Sequence, residues 1–239
     1  MSHNQLYPKP RAFTSSLSLV ATNYALRCDA KYADSDFLAL EKKIRVAGCF
    51  QLGDFLPMPF VKGMQPDSLD QPTKDSVPVV NTLSIQNLAL RVEDCRHIER
   101  EDFESLSAER QLKRGDVLLT VDGGVSIGKP YLFELDNDFT IDSHVCILRP
   151  NGLSPLALVY LLASPLGQMQ FRRAESGASG QTTVTEDDIR RFVFPISILK
   201  SIDMVSKHIK AERKRIAEQR KKLATEEATL WRQLDKFTE

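Results

Sequence analysis

The stretch LLTVDGGVSIGKPYLFEL, residues 118–135, places Gly123, four intervening residues, Gly128 and Lys129 at the spacing of a phosphate-binding loop. Such a loop cradles phosphates with backbone N–H groups and gives magnesium a Ser or Thr hydroxyl directly after the lysine. Here that position is Pro130, which has neither a hydroxyl nor a backbone N–H. The residues that follow, YLFEL, alternate as a strand does, whereas a phosphate loop leads into a helix whose N-terminus completes the anion site. The spacing therefore reads as a glycine-rich turn between two strands, with Asp122, Gly123 and Gly124 supplying positions of positive φ. Asp142, Ser143 and His144 are the residue types of a hydrolase triad, but neighbours on a strand point to opposite faces. An amino-methyltransferase needs a glycine-rich cofactor loop and an N/D-P-P-Y/F tetrapeptide, and the chain has neither. A metal-dependent nuclease needs an Asp followed by Glu-x-Lys; Asp67 has no such partner at a suitable distance. The expectation is a chain that carries out no reaction and holds neither a metal nor a cofactor.

The bulk numbers are those of a soluble globular protein: 239 residues, 42% hydrophobic and 27% charged. The four cysteines, Cys28, Cys49, Cys95 and Cys146, form no C-x-x-C pair. Isolated cysteines of this kind suggest reduced thiols in a cytoplasmic protein. No apolar run approaches membrane-spanning length, and the segment after Lys9 and Arg11 is too serine-rich for a secretory signal. Basic and acidic residues balance at 32 each, so net charge neither indicates nor excludes nucleic acid. The distribution is uneven, with acid early in CDAKYADSDF and EREDFESLSAE and base late in KHIKAERKRIAEQRKK.

The elements that would position any site fall into two parts. After Pro195 the chain contains no Gly or Pro, and strong helix formers dominate. Ile202, Ile209, Ile216, Leu223, Leu230 and Phe237 recur every seven residues, with Val205 and Trp231 widening the stripe. A strict heptad predicts a coiled-coil helix over 202–237. Such a helix would be about 50 Å long at 1.5 Å per residue and needs a partner helix to bury its stripe. Polar Glu212, Gln219, Glu226 and Gln233 within the seam favour antiparallel pairing.

Before Pro195 the pattern is mixed and β-rich. DSDFLALEKKIRVAG predicts a helix over 36–47, and 62–76 reads as a polar, proline-punctuated loop. VPVVNTLSIQNLAL reads as strand, polar turn and strand, and HVCILRP as another strand. SPLALVYLLASPLGQMQFRRAES predicts a helix capped by Ser154 and broken at SPLG. A Gly/Ser loop over 176–183, a short helix capped by Thr185 and a last strand complete the part. The fold class expected is α+β.

Several pieces in this order resemble the specificity subunit of Type I restriction–modification systems, in a half-size form. RCDAKY (27–32) is similar to the opening of its target-recognition domains, and QLGDFL to the motif at their first strand. VPVVNTLSIQN resembles the I-P-x-[IVL] segment, and SHVCILRPNGLSPLALVYLLASPLGQMQF the later S-x-x-x-x-[IVL]-x-P…P-x-[FY] segment. LKRGDVLLTVDGGVSIGKP resembles the most specific piece, L-x-x-G-D-[IV]-L…G-x-x-G-K, and SGASGQTTVTEDDIRRFVFPI the closing one. The resemblance implies a target-recognition domain over 1–197 and a conserved coiled-coil helix over 198–239 for dimerisation and methyltransferase docking. A full specificity subunit has two of each, and two copies of this chain would rebuild that set.

The implied partners are double-stranded DNA, a second copy of the chain and a DNA adenine methyltransferase subunit that itself binds S-adenosylmethionine, with a restriction subunit as a further component. Residue types that contact bases and phosphates place the expected DNA-binding set in loops. They are Lys62, Lys74, Asn81, Ser84, Gln86, Asn87, Lys129, Ser179, Gln181, Thr182 and Thr183. The expected interface comprises Ile202, Val205, Ile209, Ile216, Leu223, Leu230, Trp231 and Phe237. A reading from another class is an interaction protein whose coiled coil captures host methyltransferase or specificity subunits and alters their specificity.

Overall fold

The computed structural model describes residues 29, 31–65, 67–178 and 181–235. Arg27, Cys28, Ser179 and Phe237 therefore lie outside the described residues. The chain begins with α1 (Ser35–Ala47), β1 (Cys49–Gln51) and β2 (Val61–Lys62). β3 (Val77–Val80), β4 (Ile85–Gln86), β5 (Ala89–Leu90), β6 (Arg96–Ile98) and α2 (Arg100–Ser105) follow. Then come β7 (Val117–Thr120), β8 (Pro130–Leu132), β9 (Thr140–Ile141) and β10 (Val145–Leu148). Two helices, α3 (Pro155–Ala163) and α4 (Pro165–Ala174), lead to β11 (Ser176–Ala178) and β12 (Gln181–Thr183). The last elements are α5 (Glu186–Arg190), β13 (Val193–Pro195) and α6 (Ile202–Asp235). This is the α+β class, a β-rich domain with a long C-terminal helix.

The central sheet has the order β2-β10-β7-β8, all antiparallel. Every residue of β7 and of β10 is buried, so both sheet faces are covered. Because side chains alternate across a strand, β7 and its neighbour divide two cores. Val117, Leu119, Cys146 and Leu148 join the core beneath the helices, with Leu158, Leu161, Leu162 and Phe171. Leu118, Val145 and Ile147 face the other way, onto Phe133, Phe139, Ile141 and Ile85. A three-stranded sheet, β6-β3-β9, flanks that second core and contains the one parallel pair described, β3 with β9. β1 pairs with β13, tying the start of the described chain to its end.

Helix ends follow local chemistry. Asp34, rather than Asp36, caps α1, its Oδ1 accepting the N–H groups of Asp36 and Phe37. Ser154 and Ser164 each precede a proline at the first helical position and accept the N–H of Ala157 and Gly167. The expected broken helix is thus two helices meeting at Ser164, which also donates to the Leu161 carbonyl at 2.7 Å. α3 is apolar almost all round and is correspondingly buried, with Ala157, Leu158, Val159, Leu161 and Leu162 inside. Thr185 caps α5 as expected, in a reciprocal arrangement with Asp188. The expected Gly/Ser loop over 176–183 differs: Ser176–Ala178 and Gln181–Thr183 pair as a hairpin.

The Gly-Asp of LKRGDVLL has a structural role. Asp116 is buried and accepts the Lys113 N–H at 3.0 Å. Arg149 grips it with two nitrogens, at 2.7 and 2.9 Å, and Asp116 in turn raises the Arg149 pKa above its ordinary value by hydrogen bonding. This closes the turn before β7 onto the end of β10. Asp116→Ala should lower the free energy of unfolding by about 2–3 kcal/mol, the scale of a lost charge-assisted hydrogen-bond pair. Urea titration measures it, and a loss below about 0.5 kcal/mol would make the pair incidental.

Candidate nucleic-acid interface

The loop 123–129 uses its backbone internally. The N–H of Gly123 donates to Thr182 O, that of Ser126 to Gly123 O, that of Ile127 to Gly124 O and that of Gly128 to Thr120 O. The Lys129 N–H donates to the Thr120 hydroxyl at 3.0 Å. Those five amides are among the groups a phosphate would need, and all five are taken. Residues 124–126 form a single 3-10 turn, and β8 begins at Pro130. Gly128 is required for packing, with φ at +79° and space for no Cβ, which would stand 2.8 Å from the Phe171 ring.

Other reactive groups are likewise engaged. Asp142 is buried, which raises its pKa above the ordinary carboxylate range, and it accepts the His144 backbone N–H at 2.9 Å. The Ser143 hydroxyl donates to Gln65 Oε1 at 3.3 Å. These adjacent residues serve separate partners and compose no triad. Burial pushes the Cys95 thiol up to about 11 and raises Cys146 as well, which keeps both protonated and weakly nucleophilic. Among the described residues no group of three His, Cys, Asp or Glu side chains could hold a metal. No described helix is long and apolar enough to cross a membrane.

What the fold assembles is a face built from loops distant in sequence. Lys62, at the end of β2, reaches Asp122 Oδ2 at 3.1 Å. Asp122 pairs with Thr183 across an isolated bridge, and Thr182 accepts from Gly123 and donates its hydroxyl to Glu175 at 2.5 Å. Lys129 Nζ lies 3.4 Å from both the Thr82 carbonyl and the Ser126 hydroxyl. Lys62, Lys129, Thr182, Thr183 and the backbone of Gln181 are thereby gathered on one side of the domain. Lys31, bonded to Glu175 at 2.9 Å, borders the same region.

Five expected residues are placed otherwise. Asn81 and Ser84 are buried, at 6% and 0% exposure, so they do not reach bases. Asn81 Oδ1 accepts the N–H of Leu83 and of Ser84, Ser84 Oγ accepts the Asn81 N–H, and Asn81 Nδ2 donates to Asp94 O. They are the scaffold of a turn whose tip is Thr82 and Leu83, and Leu83 is 66% exposed. The N-x-x-S spacing signals such a turn, which makes the tip legible afterwards. Asn87 sits at the far end of the β4–β5 hairpin, where its carbonyl accepts from Arg213 of α6. Lys74 is exposed on a loop that runs along β6, through Leu69 N–H to His97 O and Ser76 to His97 Nδ1. Gln86 is half-buried and donates to Leu83 O at 2.8 Å.

The helix α6 also differs from expectation at its start. Ile202 is buried in the main core, at 5% exposure, and Ile209 is half-buried. Its first turns lie against α3 and find an intramolecular partner there, because the heptad begins inside the domain. Val205 is 39% exposed, and Ile216, Leu223, Leu230 and Trp231 are 41–64% exposed.

No protein-family model and no curated protein matches the chain. Solved structures are similar in fold. The Type I restriction–modification S subunit from M. genitalium aligns at 12% identity with a TM-score of 0.50, over 72% of this chain and 40% of that one. The HsdS subunit from Thermoanaerobacter tengcongensis aligns at 16% identity with a TM-score of 0.46, over 74% of this chain and 44% of that one. The chain thus spans less than half the length of either.

Nucleotide binding is the direct check on the spent amides. Mg-ATP should leave the melting temperature unchanged, whereas Gly128→Ala should cost about 1–3 kcal/mol through φ strain and the Phe171 clash. An ATP-induced rise abolished by Lys129→Ala would contradict this geometry. The fold that carries this face is that of a Type I restriction–modification specificity subunit.

Proposed function

We propose that the chain is the sequence-reading subunit of a Type I-like DNA methyltransferase or restriction–modification complex, and acts as a half-subunit. The observation that carries this reading is an apolar heptad face left in water on a specificity-type fold. Ile216, Leu223, Leu230 and Trp231 stand exposed on α6 beyond the last contact with the domain. Burying one such side chain is worth about 1.5–3 kcal/mol, so a partner helix is strongly favoured. The occupant proposed is the same segment of a second copy. The neighbouring folds are about twice as long as this chain, which leaves room for one more domain and one more helix.

Two copies related by a twofold axis would carry two identical reading faces, and would suit an interrupted palindrome. On each face Lys62 and Lys129 supply phosphate contacts, and Gln181, Thr182 and Thr183 with Thr82 supply groups suited to base edges. The chain has no chemistry of its own in this reading. An adenine methyltransferase subunit brings S-adenosylmethionine, and a restriction subunit would bring cleavage.

Assembly and reading are separately testable. The wild type should sediment as a dimer at tens of micromolar, and Ile216→Asp with Leu223→Asp and Leu230→Asp should sediment as a monomer with an intact domain. A monodisperse wild-type monomer would sink the half-subunit and favour a helix that serves only a different partner, as the capture reading has it. For DNA, Gln181→Ala and Thr183→Ala should weaken cognate-site binding by about 1–3 kcal/mol with little change on random duplex. Lys62→Ala and Lys129→Ala should weaken both and reduce the salt slope by about one each. Unchanged cognate affinity in all four variants would move the reading surface elsewhere.

A further inference from the structure

The long helix is fastened to the domain at three polar points along its first turns. The Ser154 hydroxyl donates to Asp203 Oδ1 at 2.5 Å. Lys210 Nζ lies 2.5 and 2.7 Å from the two carboxylate oxygens of Glu134. Arg213 Nη2 donates to the carbonyl of Asn87. From residue 214 to 232 every side chain is exposed. Arg213 is therefore the last hold before the helix leaves the domain.

The carbonyl it holds belongs to a constrained turn. Asn87 and Leu88, joining β4 to β5, have φ of +50° and +60°. A two-residue hairpin prefers this mirror-image turn, but its second place normally falls to glycine. Leucine carries a Cβ into a region that disfavours one. Leu88 is retained there by packing against the main core beneath the helices. A turn fixed from two sides aims the Asn87 carbonyl in one direction. The same short hairpin starts at the Asn81–Ser84 turn, whose Thr82 carbonyl faces Lys129. One element thus joins the candidate reading face to the helix.

We propose that Arg213 is a positioning residue that sets the direction in which α6 leaves the recognition domain. Buried Ile202 fixes one end of the docked segment and Arg213 the other, about 16 Å apart at 1.5 Å per residue. Half-buried Ile209 and the Lys210–Glu134 pair lie between them, so Arg213 is the outermost of several holds and the one next to the free segment. The remainder of the helix, residues 214–235, is about 33 Å long, so a tilt of about 10° at the clasp moves its far end by about 6 Å. That equals the rise of roughly two base pairs of duplex. The consequence for DNA spacing rests on the half-subunit reading, while the clasp itself does not.

Nitroxide labels placed at residues 108 and 227 of the full chain, diluted into an excess of unlabelled chain, report the angle within one molecule. The wild type should give one narrow distance distribution. Arg213→Ala should widen it about twofold with helix content unchanged by circular dichroism, as expected when a local hold is lost. Arg213→Lys, which can still donate but not through a guanidinium, should fall between them. A distribution unaltered by Arg213→Ala overturns the proposal. On duplexes bearing two half-sites at stepped separations, the wild type should prefer one separation and Arg213→Ala should accept separations one or two base pairs away. Equal wild-type binding at all separations would defeat the half-subunit reading, and the distance measurement would still decide the clasp.

Discussion

Burial of β7 on both faces is the constraint from which the rest of the structure follows. A strand with apolar side chains pointing both ways must have a layer on each side, and the chain supplies two different layers. Helices α3 and α4 cover one face with Leu158, Leu161, Leu162 and Phe171. Phe133, Phe139 and Ile141 cover the other, with Ile141 and Val80 contributed by the β6-β3-β9 sheet. With β7 fixed, the two ends of the strand have fixed surroundings. Asp116 and Arg149 close one end. The other end opens into the glycine turn at Gly123, where Lys62, Lys129 and the β11–β12 hairpin arrive from separate parts of the chain.

The glycine turn shows how one sequence pattern can serve two physical purposes. Glycines at a five-residue spacing suit a phosphate cradle because they let backbone approach a ligand. They equally suit a loop that must approach another part of the same protein. Gly128 does the latter, backed against Phe171, with its carbonyl accepting from Gln168 at 2.7 Å. The decisive difference is where the amides point, and here they point into the loop itself and at Thr120 and Thr182.

The polar turn residues teach a related lesson. Asn81 and Ser84 have side chains suited to reading bases, and those side chains are spent on the backbone of their own turn. An unsatisfied N–H or carbonyl inside the fold would cost more than a surface contact could return. The residues left at the tip, Thr82 and Leu83, are the ones the turn presents. The same economy governs α6, whose heptad begins as core and becomes a free face only past Arg213.

By itself the sequence determined the elements whose causes are local. The seven-residue repeat and the absence of Gly and Pro after Pro195 defined the long helix, since these act within a few turns of chain. Ser154 and Thr185 marked helix starts because a cap needs only the next three residues. Short apolar runs in VLLTV and VCILRP marked the central strands, and the ordered motifs pointed to the specificity-subunit fold that the structure has. Tertiary structure alone decided which polar residues face solvent, because that depends on neighbours far away in the chain. It buried Asn81 and Ser84, sent Asn87 to the helix, and turned a Gly/Ser stretch into a hairpin beside Asp122. It also divided the heptad stripe, since whether Ile202 meets water or Leu158 depends on where α3 lies and not on the repeat.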